Sequence, residues 1–219
     1  MEKLFQRFNN KLKGIPTHFK RYLFHQINWN DRLIAIKGSR GVGKTTLLLQ
    51  YIKANHTLDG TVLYVSLDDI YFQANTLVDL ADEFYINGGK YLYLDEVHKY
   101  DNWSLEIKNM YDNYNDLNVV FTSSSILEIY KGDADLSRRL VSYELKGLSF
   151  REYLTLEQNN ELGSYTLNEI LTNHIEIATS ITEQLKVLPL FKEYIKTGYY
   201  PFYKEGMTSY YQKLNNIIN

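Results

Sequence analysis

Short apolar runs alternate with helix-spaced apolar positions through the first two thirds of the chain. Runs bounded by turn or charged residues predict β-strands at residues 33–37, 61–67, 91–94, 119–122 and, more weakly, 140–145. Between these runs apolar residues recur every three or four positions, as on the buried face of an amphipathic helix. This alternation predicts an α/β fold in which helices cover both faces of a mostly parallel five-stranded sheet.

The pattern changes after residue 148, where strand signals fade. Three Ser or Thr residues each precede a Glu by three positions, which is the pattern of a helix capping box: Ser149 with Glu152, Thr166 with Glu169, and Ser180 with Glu183. We therefore expect an αβα domain at residues 1–148 and a small helical lid at residues 149–219. The last apolar run reaches Asn219 without a cap, and we expect the native protein to continue.

A glycine-rich loop follows the first predicted strand. Residues 38–45 read G-S-R-G-V-G-K-T, a full G-x-x-x-x-G-K-[ST] motif between a strand and a helix-like run. Its glycines allow successive backbone N–H groups to face a polyphosphate, and the following helix N-terminus adds a favourable dipole. The sequence thus predicts a three-layer αβα P-loop NTPase whose nucleotide contacts are Gly38, Ser39, Arg40, Gly41, Val42, Gly43, Lys44, Thr45 and Thr46.

Within this loop two side chains have specific predicted tasks. Lys44 would contact the β- and γ-phosphates and serve catalysis, while the Thr45 hydroxyl would coordinate Mg²⁺. The predicted strand 91–94 ends in Asp95 and Glu96, the form of a Walker B segment. Because parallel strands present ligands at their C-terminal ends, Asp95 would share the Mg²⁺ with Thr45. Glu96 would act as the base that aligns the attacking water.

An acidic pair also ends many ordinary strands as a solvated turn, but the intact upstream loop favours the functional interpretation. The extra strand between the loop and the acids, together with Glu96, favours an ATPase over a small GTPase. The chain contains no Asn-Lys-x-Asp segment, so we expect ATP and its product ADP, with Mg²⁺, as the small-molecule partners.

Two further groups are candidates for catalysis. Ser124, in the hydroxyl run that follows strand 119–122, would sense the γ-phosphate or orient the attacking water, and the choice among Thr122 to Ser124 stays open. The structural alternative is that these hydroxyls cap a helix at residues 126–129, and the two roles are compatible. Arg139 would neutralise charge on the phosphoryl oxygens, within the chain or across a subunit contact. The alternative for Arg139 is a solvated surface side chain.

Composition narrows the class of protein. The 219 residues carry 24 Lys and Arg against 26 Asp and Glu, a net charge of −2, so nucleic-acid binding by this chain alone is disfavoured. Cys is absent, which excludes disulfides and thiolate metal sites and favours the cytoplasm. No stretch has the pattern of a signal peptide or a membrane span, and we expect no membrane partner.

These motifs resemble a family of bacterial and archaeal AAA-type ATPases, in which such a module is followed by a helical lid and a separate C-terminal domain. The resemblance rests on residues 38–45, 95–98 with Trp103, 121–125, 139–154 and 198–201. It implies an ATP and Mg²⁺ site, Asp95 and Glu96 as Walker B, a polar sensor among residues 122–124, and Arg139 as an arginine finger. The arginine finger at each site would then come from a neighbouring copy in a homo-oligomer or from a partner protein. Ser123 and Tyr199 stand where the family usually has Gly, which makes the sensor and the lid contacts less secure.

Three other interpretations compete with a Mg²⁺-dependent ATPase. A nucleotide-binding module would have the same loop with little turnover. The sequence Asp-Glu-Val-His at residues 95–98 also matches the D-E-x-H box of nucleic-acid helicases, although those enzymes need a second motor domain. A nucleoside kinase should carry an arginine-rich lid, whereas the last third of this chain has only Arg151.

Overall fold

The computed structural model of the protein describes residues 1–124, 136, 138–158 and 162–218. The chain divides into two compact units, Met1–Leu145 and Lys146–Asn219. The boundary predicted at residue 148 falls just inside the second unit. The helix predicted at residues 126–129 lies outside the described residues.

A five-stranded sheet forms the centre of the first unit. Its strands are β1 (Leu33–Lys37), β2 (Val62–Ser66), β3 (Tyr91–Asp95), β4 (Asn118–Ser123) and β5 (Val141–Glu144). They lie in the order β2-β3-β4-β1-β5, and every neighbouring pair is parallel. The predicted α/β fold with its parallel five-stranded sheet is confirmed. The edge strand β5 exposes most of its side chains, which explains its weaker apolar signal.

Two helices precede β1, and further helices connect β1 to β2, β2 to β3 and β3 to β4. The helices in the described part of the first unit are α1 (Glu2–Lys13), α2 (Leu23–Gln26), α3 (Lys44–Asn55), α4 (Leu77–Ile86) and α5 (Trp103–Asn113), with 3₁₀ turns at Ile70–Gln73 and Val97–Lys99. Helix α3 follows the glycine-rich loop and buries Leu47, Leu48 and Ile52 completely. Because such burial stabilises by about 1.5–3 kcal/mol per large apolar side chain, the start of α3 is held firmly behind the loop.

The second unit is helical in its described part. Its helices are α6 (Phe150–Gln158), α7 (Leu167–Gln184), α8 (Val187–Glu193) and α9 (Met207–Ile218), with a π-helical turn at Tyr194–Gly198 and a 3₁₀ turn at Pro201–Glu205. None of the helices described for this chain is both long and apolar enough to cross a lipid bilayer.

Two of the three predicted capping boxes are confirmed. Before α6, the Ser149 N–H donates to Glu152 Oε2 at 2.9 Å and the Glu152 N–H donates to Ser149 Oγ at 3.2 Å. Thr166 and Glu169 form the same reciprocal pair at the start of α7. The third prediction was wrong: Ser180 lies inside α7, which continues through it to Gln184. A Ser with a Glu three positions later also suits an exposed helix interior, so the pattern does not by itself begin a helix.

Candidate active site

The glycine-rich loop connects β1 to α3 at the C-terminal edge of the sheet. Gly41 has φ 84° and Gly43, the residue before α3, has φ 99°, both in the left-handed region that favours glycine. A Cβ atom added to Gly38 would lie 2.2 Å from the carbonyl oxygen of Leu145. The loop thus requires glycine for backbone geometry at two positions and for close packing at a third.

Lys44 lies inside this loop with only 4% of its surface exposed. Its Nζ donates to Gly38 O at 2.8 Å, to Ser39 O at 3.1 Å and to Ser124 Oγ at 2.8 Å. Burial lowers the pKa of the Lys44 ammonium, and the carboxylates of Glu96 and Asp95 act in the opposite direction. The ammonium therefore connects the loop to the end of β4.

Asp95, the last residue of β3, is 2% exposed and accepts hydrogen bonds from three hydroxyl groups. Thr45 Oγ1 donates to Oδ2 at 2.6 Å and Tyr64 Oη donates to the same oxygen at 2.7 Å. Thr122 Oγ1 donates to Oδ1. The structure thus brings Thr45 and Asp95 into direct contact, and their adjacent hydroxyl and carboxylate oxygens fit the preference of Mg²⁺ for oxygen ligands. Their role as metal ligands stays a prediction.

Glu96 follows Asp95 in a left-handed conformation, with φ 55° and ψ 42°. Its N–H donates to Thr122 Oγ1 at 3.1 Å, and its Oε1 accepts from Ser124 Oγ at 3.0 Å. The Glu96 side chain is 23% exposed, in contrast to the enclosed Asp95. A left-handed non-glycine residue costs about 1 kcal/mol or more and is often found at functional sites. The left-handed backbone at Glu96 thus separates the two consecutive carboxylates: that of Asp95 is buried and that of Glu96 is partly exposed.

His98 is a close neighbour of Glu96 and Ser124. Its Nε2 lies 3.5 Å from Glu96 Oε2, and its Nδ1 accepts from the Ser124 N–H at 3.4 Å. Burial lowers the pKa of the His98 imidazole, so the ring is neutral at pH 7. With Nδ1 as an acceptor, the remaining ring proton is on Nε2 and faces Glu96.

Arg139 is not brought to the loop. It precedes β5, so it lies at the N-terminal edge of the sheet, whereas the loop and Asp95 lie at the C-terminal edge. Its Nε donates to Asp112 Oδ1 at 2.8 Å and its Nη2 donates to Asp112 Oδ2 at 3.0 Å. A contact of Arg139 with phosphates held by its own loop is therefore not supported. A role at a neighbouring subunit's site stays a prediction.

The remaining predicted contacts line the loop itself. Arg40 is exposed, Ser39 and Thr46 are half-buried, and Val42 is fully buried. The Val42 carbonyl accepts from Arg21 Nη1 at 2.5 Å. Sequence analysis missed Arg21 as a loop contact and Tyr64 as a partner of Asp95. Neither residue has a local sequence signal, because each reaches the site only through the fold.

Comparisons with known proteins identify the family to which this chain belongs. A family model described as an AAA domain matches residues 30–154, more than half of the chain. An uncharacterized protein of Methanocaldococcus jannaschii, MJ1637, is 30% identical over 213 residues, with 91% of this chain and 45% of that protein covered. The chain thus spans less than half the length of this relative.

Three solved structures are similar at low identity. AMPPCP-bound DnaA from Aquifex aeolicus has a TM-score of 0.44 at 23% identity, covering 79% of this chain and 62% of that chain. PCH-2 of C. elegans has a TM-score of 0.43 at 16% identity, covering 71% and 43%. Domain III of the Thermotoga maritima replication initiation protein DnaA has a TM-score of 0.42 at 20% identity, covering 69% and 75%.

The family assignment thus depends on the AAA domain match, which includes the glycine-rich loop, the acidic pair, Ser124 and Arg139. This family consists of nucleotide-binding domains of the ATPase type. The chain belongs to the AAA domain family.

Proposed function

We propose that the chain binds ATP together with Mg²⁺ and hydrolyses the terminal phosphate, as a switch or motor domain that acts on another molecule. The observation that carries this proposal is one hydrogen-bonded cluster at the end of the glycine-rich loop. In it Lys44 and Glu96 share Ser124, while Thr45 donates to the adjacent Asp95. These are the groups that phosphate binding, metal binding and water activation require.

Binding would use the loop first. The backbone N–H groups of residues 38–45 and the N-terminus of α3 would hold the polyphosphate, and the Lys44 ammonium would neutralise its β- and γ-oxygens. Thr45 and Asp95 would hold Mg²⁺, which supplies charge neutralisation at the phosphate oxygens when it is bound. Because Mg²⁺ keeps several waters, a pair of protein oxygens is enough to retain it beside a nucleotide.

Hydrolysis would use Glu96. Its carboxylate is partly exposed, so a water molecule can reach it, and it is oriented by Ser124 Oγ and the neutral His98 ring. Glu96 would accept the proton of that water as it attacks the γ-phosphate. Ser124 touches both Lys44 and Glu96, so it would report the presence of the γ-phosphate to the base.

Slow turnover by the isolated chain is part of this proposal. Arg139 is paired with Asp112 at the other edge of the sheet, so the chain's own Arg139 would not serve its own loop, and we propose that a second copy or a partner protein supplies the arginine finger. Such an arginine accelerates related phosphoryl transfers by about 10³–10⁵-fold. A nucleotide-binding module with little intrinsic turnover is therefore the second candidate function, and the same pairing of Arg139 supports it.

Phosphate release tests the proposed function. We expect the chain to release phosphate from ATP in the presence of Mg²⁺, to stop when EDTA removes the metal, and to prefer ATP to GTP. Single-stranded DNA or RNA should leave the rate unchanged. A nucleic-acid stimulation of about tenfold, which corresponds to about 1.4 kcal/mol, would favour the helicase interpretation instead. ATP binding without any phosphate release would leave the binding module as the function.

A further inference from the structure

Tyr64 connects the candidate metal site to the interior of the domain. It lies in the middle of β2, is 3% exposed, and donates its hydroxyl proton to Asp95 Oδ2 at 2.7 Å. The same carboxylate oxygen accepts from Thr45 Oγ1 at 2.6 Å. Tyr64 thus shares one oxygen of Asp95 with the predicted Mg²⁺ ligand Thr45, and it approaches that oxygen from the neighbouring strand.

Lys11 determines the direction of this hydrogen bond. Its Nζ lies 3.0 Å from Tyr64 Oη and 4.9 Å from the centre of the Tyr64 ring. A lysine ammonium has donors and no acceptor, so the Tyr64 oxygen must accept from Lys11. The single hydroxyl proton of Tyr64 is then directed to Asp95.

Helix α1 holds Lys11 in this position. Its buried face of Leu4, Phe8 and Leu12 packs into the first unit, and the Phe8 ring lies 6.2 Å from the Tyr64 ring. Arg7 Nη1 also donates to Asp69 Oδ2 at 2.6 Å, just after β2. Helix α1 precedes residues 30–154, the segment that the AAA domain model matches. The contact of helix α1 with β2, the strand that carries Tyr64, therefore comes from a part of the chain outside that match.

We propose that Tyr64 and Lys11 are positioning residues of the Mg²⁺ site, through which helix α1 sets the orientation of the Asp95 carboxylate. This inference rests on the proposed function. A carboxylate held by Thr122 on one oxygen and by Tyr64 on the other cannot rotate away from Thr45. Hydrogen-bond partners behind a metal ligand typically change metal affinity or activity by about 10–100-fold, because they fix the ligand's orientation.

The Tyr64→Phe variant tests this inference, since it removes one hydroxyl and keeps the ring. Mg²⁺ is titrated into the chain saturated with a fluorescent N-methylanthraniloyl analogue of ATP, and the affinity for the analogue is measured separately in EDTA. We expect the Mg²⁺ affinity to fall about tenfold, while the analogue affinity in EDTA stays unchanged. A loss of general stability would lower both quantities.

Tyr93→Phe is the matched control. Tyr93 lies on the adjacent strand β3, is 2% exposed, and pairs its hydroxyl with His56 Nε2 at 2.7 Å, away from Asp95. The same atom is thus removed from an equally buried tyrosine. We expect the Mg²⁺ affinity of this variant to equal that of the unmodified chain.

Lys11 is tested by a pair of variants. Lys11→Met removes the ammonium and keeps an apolar stem, and it should weaken Mg²⁺ binding in the same direction as Tyr64→Phe, by roughly threefold. Lys11→Arg retains donors and should restore most of the affinity.

Three results would overturn the inference. They are an unchanged or tighter Mg²⁺ affinity in Tyr64→Phe, an equal loss in Tyr64→Phe and Tyr93→Phe, and a Lys11→Met variant that matches the unmodified chain. If the unmodified chain itself shows no effect of Mg²⁺ on nucleotide binding, the proposed function fails and the inference fails with it. If the unmodified chain shows that effect and Tyr64→Phe behaves identically, the inference alone is wrong.

Discussion

Replacing Lys44 with alanine is expected to abolish detectable nucleotide binding. The Lys44 ammonium lies between two loop carbonyls and Ser124, at the point where the β- and γ-phosphates would be held. A hydrogen bond to a charged group contributes about 1.5–3 kcal/mol, and Lys44 would make more than one to the phosphates, so affinity should fall by about a hundredfold or more. Titration of a fluorescent ATP analogue, followed by anisotropy, measures this loss.

The control for this variant is Lys90→Ala. Lys90 is exposed and lies directly before β3, at the edge of the sheet opposite the loop, so the same change of charge occurs away from the site. We expect normal binding by Lys90→Ala and a thermal unfolding midpoint of Lys44→Ala within a few degrees of the unmodified chain. Tight nucleotide binding by a folded Lys44→Ala protein would contradict the assignment of the phosphate site.

The second large effect is expected for Glu96→Gln, which should keep nucleotide binding and stop turnover. Glutamine retains the size of the side chain and an oxygen that can accept from Ser124, but it cannot take a proton from water. General-base catalysis contributes about 10²–10⁴-fold, so the rate of phosphate release should fall by that factor. Because intrinsic turnover is expected to be slow, the rate is best measured under single-turnover conditions with the protein in excess.

Glu176→Gln on helix α7 is the matched control, since Glu176 is exposed and belongs to the second unit. It should hydrolyse ATP at the rate of the unmodified chain. A Glu96→Gln protein with near-normal turnover would exclude Glu96 as the base. If Glu96→Gln lost nucleotide binding instead, Glu96 would contribute to affinity and the separation of roles between Asp95 and Glu96 would be wrong.

The strands could be predicted because a buried parallel strand is a short apolar run between turn signals. Strands β1 to β4 have this pattern, and the exposed edge strand β5 has it only weakly. Helix α1 was not predicted. Its buried residues Leu4, Phe8 and Leu12 recur every four positions, which is a helical spacing, but the spacing does not show that they pack against β2, where the Phe8 ring lies 6.2 Å from the Tyr64 ring.

In the candidate site, too, the sequence predicts local motifs but does not predict contacts between residues that are distant in the chain. The glycine-rich loop and the acidic pair are each contiguous in the sequence, so their local patterns predict them. The bond from Tyr64 to Asp95 joins residues 31 positions apart, and the pair of Arg139 with Asp112 joins residues 27 positions apart. Such contacts follow from strand order and from the edge of the sheet at which a residue lies. The sequence alone could suggest a role for Arg139 but could not place it away from its own loop.

Titration calorimetry of the unmodified chain with ATP, in the presence of Mg²⁺ and again in EDTA, tests the central claim most directly. The claim is that the loop, Lys44 and the adjacent pair of Thr45 and Asp95 form one site for a metal-bound triphosphate. We expect one ATP per chain, with affinity clearly higher in Mg²⁺ than in EDTA and higher for ATP than for GTP. Absence of binding heat, or equal ATP affinity with and without Mg²⁺, would contradict the account.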